Sequence, residues 1–113
     1  MSGKKSRNKG KTGERELSKE LTRLFGVECR RGVQYNGLDG HDVVGIPGVH
    51  IECKRTEALS LYPAVEQATR DAGESEIPVV CHRRNGKRWL AVVELDQLPA
   101  LVSQLYLVMC SEA

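Results

Sequence analysis

Residues 41 to 54 read His-Asp-Val-Val-Gly-Ile-Pro-Gly-Val-His-Ile-Glu-Cys-Lys, with Asp42 on one apolar run, a Glu52-x-Lys54 pair on the next and Pro47-Gly48 between them. Alternate side chains of a β-strand share a face, so Glu52 and Lys54 point one way and Ile51 and Cys53 the other. If the two runs pair as a hairpin, Asp42 lies near Glu52, and two neighbouring carboxylates can hold Mg2+ through oxygen ligands. Such a cation polarises a phosphoryl oxygen and lowers the pKa of its bound water, while Lys54 orients that water or neutralises charge developing on the phosphate. The chemistry these types and spacings suit is phosphodiester hydrolysis. A Glu-x-Lys tripeptide alone is common and usually marks a solvated ion pair; the upstream Asp42 lifts it above that background. Asp39 is a rival ligand, but it lies between Gly37 and Gly40 in a turn-prone stretch, whereas Asp42 leads into Val43-Val44.

Several elements must hold these groups in place. Leu17, Leu21, Leu24 and Phe25 recur at helical spacing and predict a helix over residues 14–25 that ends at Gly26. At about 100 degrees per residue Glu14 falls within that apolar stripe and Glu16 on the opposite, solvated face. A carboxylate on the inward face at a helix start is unusual unless it serves the helix dipole or a site. Strands are expected near 27–33, 41–46 and 49–54. Ser60 can cap a second helix with Pro63 in its first turn and Leu61, Ala64, Val65, Ala68 and Ala72 on one face; Gly73 ends it. Residues 77–82 and 88–93 read as strands joined through Asn85-Gly86. A last helix opens at Asp96 and carries Leu98, Leu101, Val102, Leu105, Val108 and Met109 as an apolar stripe. The predicted order is α-β-β-β-α-β-β-α.

A net charge of +2 conceals segregation. Lys4, Lys5, Arg7, Lys9 and Lys11 stand in a glycine-interrupted stretch without acids, which reads as a flexible basic arm over residues 1–13 ahead of a single domain over 14–113. Arg30 and Arg31 form a second cluster, and Arg83, Arg84, Lys87 and Arg88 a third. Beside a phosphate-hydrolysing signature, these clusters and Arg15 are expected to neutralise DNA backbone phosphates. The few aromatic residues argue against a stacking platform for single strands and for recognition of duplex arms by shape and charge.

With 113 residues the chain supports one core and no separate binding module. Cys29, Cys53, Cys81 and Cys110 form no C-x-x-C pair, so neither a zinc site nor a disulfide framework is expected. No long apolar run or signal-like start appears, which reads as a cytoplasmic protein without a membrane segment.

The spacing of Asp42, Glu52 and Lys54 resembles the PD-(D/E)xK nuclease superfamily, and Lys9-Gly10-Lys11-Thr12-Gly13-Glu14-Arg15 resembles the Lys-Gly-x-x-x-Glu-Arg opening of archaeal-type Holliday junction resolvases and their phage relatives. The resemblance implies an α/β, restriction-endonuclease-like fold, a mixed β-sheet flanked by helices with an αβββαβ core. It implies that Glu14 joins Asp42 and Glu52 as metal ligand, with Mg2+ as cofactor and Mn2+ as substitute. Gln67 occupies the place where related nucleases carry a glutamine or lysine that reaches the site, although it lies off the apolar stripe of its helix. His50 shares the face of Glu52, but oxygen suits Mg2+ better than imidazole does. The sequence departs from the family at His41, where proline is usual, and in the 34–40 loop, where some resolvases carry a serine-rich segment. A homodimer acting on branched double-stranded DNA, in a bacterial, archaeal or phage-infected cell, completes the expectation, since a four-way junction needs two matched incisions. The alternatives are another nuclease of the superfamily, nicking or recombination-linked, and a non-catalytic basic DNA-binding module.

Overall fold

The computed structural model describes residues 2–32 and 42–111, with side chains from residue 10 onward. Helix α1 spans Ser2–Phe25. It begins well before the expected position near Glu14, so the basic stretch shares one continuous helical backbone with the nuclease-like motif. The helix ends as expected: Gly26 takes a positive φ of 74° and donates its N–H to the Thr22 carbonyl at 3.0 Å. Strands β1 (Arg30–Arg31) and β2 (Val43–Val44) are short, and β3 (Val49–Arg55) is long. Helix α2 (Leu61–Asp71) follows, then β4 (Ile77–Arg83), β5 (Leu90–Val92), a single 3-10 turn over Leu95–Gln97 and helix α3 (Leu98–Ser111). Ser60 stands at the α2 N-cap without a side-chain capping bond. Asn85-Gly86 forms a turn closed by the Lys87 N–H on the Arg84 carbonyl at 3.1 Å.

The five strands form one sheet in the order β1-β2-β3-β4-β5. Pairing is antiparallel except between β3 and β4, which run parallel through the α2 crossover. The element order matches the sequence reading. The loop over residues 34–40, with Asp39, and His41 lie outside the described residues.

The central strand β3 is covered on both sides. Val49 and Ile51, with Val79 and Cys81 of β4, join Leu17 and Leu21 of α1 and Leu101 and Val108 of α3 in the main core. Val80 faces the other way and packs with Ala64 and Ala68 of α2. Helices α1 and α3 therefore share one face of the sheet, and α2 covers the other. Alternation along β3 sends His50, Glu52 and Lys54 to the α2 side. Not every predicted core position is inside: Leu24 is 54% exposed, while its neighbour Phe25 packs against the core.

A glycine fixes the start of the hairpin. Gly45 has φ 133°, and a Cβ there would stand 2.4 Å from the Glu28 carbonyl oxygen, so only glycine lets the segment before β1 pass so close. At the hairpin turn, Gln104 of α3 donates to the Pro47 carbonyl at 2.7 Å and ties that helix to the turn. No helix among the described residues is long and apolar enough to cross a membrane.

Candidate active site

Pairing of β2 with β3 sets Val43 opposite Ile51. One step along, Asp42 stands opposite Glu52 on the α2 side, the cross-strand neighbour that the hairpin argument required. Asp42 is anchored by the Cys53 backbone N–H, which donates to its Oδ2 at 2.7 Å, and it lies near enough to Glu52 for the two carboxyls to influence each other. Burial, opposed by the Cys53 bond and reinforced by the charges of Glu52 and Glu14, pushes the Asp42 carboxyl up from 3.8 to about 7. Glu52 is 2% exposed and its Oε1 lies 2.8 Å from Nε2 of His50, which is fully buried. Burial alone would lower the His50 pKa, but the bond to Glu52, its charge and those of Glu76 and Asp71 outweigh this and raise it.

Lys54 and Gln67 meet directly. The ammonium donates to the Gln67 Oε1 at 2.7 Å, so α2 holds the lysine on the side occupied by Glu52. Gln67 lies off the apolar stripe of α2 because its partner is a polar strand residue rather than the core. Glu14 enters from α1 on the opposite face of the sheet; its charge reaches Asp42, while its Oε1 accepts from Arg31 Nε at 2.8 Å. Glu16 departs from the expectation. It is half-buried and pairs with Arg83 and, at 3.4 Å, with Arg55, both at the C-terminal ends of the parallel strands. Helical periodicity assigned Glu16 to the face away from the apolar stripe, but long basic side chains from the sheet reach across to it.

Among the described residues, no three His, Cys, Asp or Glu side chains stand together as a ready-made cation cage. The donor set still fits a hard cation: half-buried Asp42 adjoins buried Glu52, and either a proton or a cation must relieve their repulsion. The thiol nearby offers no competing soft ligand, since burial pushes Cys53 strongly up, and all four cysteines are free.

The basic residues divide into two groups. Lys11, Arg15, Arg30 and Arg84 are exposed, whereas Arg31 and Arg83 are held by Glu14 and Glu16. Lys4, Lys5, Arg7 and Lys9 lie on the α1 backbone, and their side chains fall outside the described set. Of the polar residues around the pair, His50 is the one that sequence reasoning weighted least. Its shared face with Glu52 was the available signal; its complete burial follows from the covering of β3 by α2 and β4.

The sequence pattern of the phage PDDEXK endonucleases matches residues 5–112. The chain belongs to the phage PDDEXK endonuclease family. Membership makes this phage endonuclease a nuclease with a DNA substrate, in a family that typically depends on metal. The solved structure of Hjc, a Holliday junction resolvase from the archaeal hyperthermophile Archaeoglobus fulgidus, is similar to it with a TM-score of 0.55 and 25% sequence identity. The likeness covers 73% of this chain and 74% of that one. The mixed five-stranded sheet with three flanking helices is thus a restriction-endonuclease-like fold. No curated protein matches this endonuclease.

Proposed function

We propose that the protein is a Mg2+-dependent, structure-selective DNA endonuclease, a Holliday junction resolvase that acts as a homodimer by paired incisions in a bacterial, archaeal or phage-infected cell. The observation that carries this reading is the pairing of half-buried Asp42 with buried Glu52 on the side faced by Lys54. The similarity to Hjc supports the choice of branched DNA.

In this reading Asp42, Glu52 and Glu14 hold the cation. Bound Mg2+, or Mn2+ in its place, supplies Lewis-acid polarisation of the scissile phosphate and lowers the pKa of a coordinated water. Asp42 and Glu52 keep their positions through the Cys53 amide and His50, so the donor set is formed before substrate arrives. Lys54 carries the positive charge toward the phosphate, and Gln67 restricts where its ammonium can go. The exposed Lys11, Arg15, Arg30 and Arg84, together with Lys4, Lys5, Arg7 and Lys9, supply the charge that meets the DNA backbone. Arg31 and Arg83 contribute less, because Glu14 and Glu16 already offset them.

The dimer rests on α3. Leu101, Leu105 and Val108 turn to the core, while Leu98, Val102, Tyr106 and Met109 form a second stripe that is 40% to 68% exposed. A contiguous apolar stripe of this kind suits a two-fold interface that presents two copies of one site. The deciding experiment offers the purified protein a labelled four-way junction, a fork and a plain duplex, with Mg2+ or with EDTA. Paired symmetric cuts in the junction alone, abolished by EDTA, are expected. Cutting of all three substrates alike would move the assignment to another nuclease of the superfamily, and tight binding without cutting to a DNA-binding module.

A further inference from the structure

The two carboxylates of the site are secured differently. Asp42 takes its anchor from the backbone, through the Cys53 amide. Glu52 takes its anchor from a side chain, His50, two residues earlier on the same strand face. A buried carboxylate without a hydrogen-bond partner is costly, and a free glutamate terminus rotates broadly. Here the imidazole is 0% exposed and the carboxylate 2% exposed, so no solvent competes for the bond. The His50–Glu52 contact engages Oε1 of Glu52 and leaves the other carboxylate oxygen on the strand face that Asp42 shares. The imidazole belongs to the central strand, between β2 and β4, and α2 covers the face to which it points.

We propose that His50 is a positioning residue for cation binding. It fixes the plane of the Glu52 carboxylate so that the oxygen not engaged by the imidazole is presented to a divalent cation. The proposal rests on the reading of Asp42 and Glu52 as ligands and goes beyond it by giving a role to a histidine that touches neither cation nor DNA. Partners that orient a ligand in this way typically change metal affinity about 10- to 100-fold when removed.

Two amide substitutions make a matched test. His50→Gln places an amide nitrogen near the position of Nε2 and keeps the donor toward Glu52; His50→Asn mimics Nδ1 and falls short of it. MnCl2 alone is titrated into each full-length protein by calorimetry, with circular dichroism to confirm the fold. His50→Asn is expected to bind Mn2+ about 10-fold or more weakly than wild type, and His50→Gln within about 3-fold. In cleavage assays the His50→Asn defect should appear as a raised Mg2+ requirement that high Mg2+ largely repairs. Equal Mn2+ affinity in all three folded proteins would overturn the positioning role while leaving the nuclease reading intact. Wild-type protein that neither binds Mn2+ nor cuts would instead remove the reading on which it rests. If His50→Asn fails to fold, His50→Gln and wild type still decide: a Gln variant that folds yet loses Mn2+ affinity to the same extent as Glu52→Gln contradicts the proposal.

Discussion

Asp42→Asn, Glu52→Gln and Lys54→Ala are each expected to slow cleavage on the order of 100-fold or more while DNA affinity stays within a few-fold. Single-turnover rates beside binding curves check this, and full activity in Glu52→Gln would remove the assignment. The raised pKa of Asp42 sets a pH dependence with a definite sign. Its folded-state value of about 7 lies above the ordinary 3.8, so the stability it contributes is complete below the ordinary range and is lost as pH rises through about 7. His50 shifts in the same direction. Metal-free protein should therefore melt lower at pH 8 than at pH 5 through these groups. Mg2+, which needs the ionised carboxylate, should raise the melting temperature at pH 8 and do little at pH 5. An equal Mg2+ effect at both pH values would contradict the account. Glu16 and Glu14 should separate by readout. Glu16→Gln loosens the tie between α1 and the strand ends and is expected to cost about 1 kcal/mol with cleavage little changed, whereas Glu14→Gln should lower cleavage.

At the scale of elements, the β2–β3 hairpin is the most exposed to a backbone change. Gly45→Ala is expected to destabilise the domain by about 2 kcal/mol or more, read by urea unfolding, because φ 133° and the Glu28 carbonyl leave no place for a methyl group. The basic first half of α1 should act through salt. Deleting residues 2–11 should flatten the slope of log affinity against log salt by about 0.9 for each DNA phosphate that this segment neutralises, and an unchanged slope would mean that it does not touch DNA. The hairpin, its acid pair and the Glu52–Lys54 face were legible because a period of two is a local property. The same local logic missed the start of α1: residues 2–13 carry hardly any apolar side chains and three glycines, so no periodicity marks them as helical. It also left Gln67 undecided, because only the parallel β3-α2-β4 crossover brings that residue onto Lys54. Pairings made across the fold, such as Glu16 with Arg83, leave no trace in spacing along the chain.

For the whole molecule, α3 separates two outcomes. Val102 is 59% exposed and Val108 is 5% exposed. Val102→Asp should give a folded monomer by sedimentation and circular dichroism, one that nicks junctions but no longer pairs its incisions. Val108→Asp should unfold the domain instead. Wild-type protein that sediments as a monomer yet makes paired cuts would refute the dimer. A last consequence follows from where the site's parts are carried. Asp42 and Glu52 share one two-strand ribbon, gripped at its turn by Gln104, while Glu14 and Gln67 arrive on separate helices from opposite faces. The spacing of the acid pair is thus insulated from small slippages of α1 and α2, but the catalytic arrangement as a whole is not. In urea well below the unfolding midpoint, where docked helices breathe before a central ribbon opens, the protein should go on capturing the ion, more weakly once Glu14 withdraws, after it has stopped cutting.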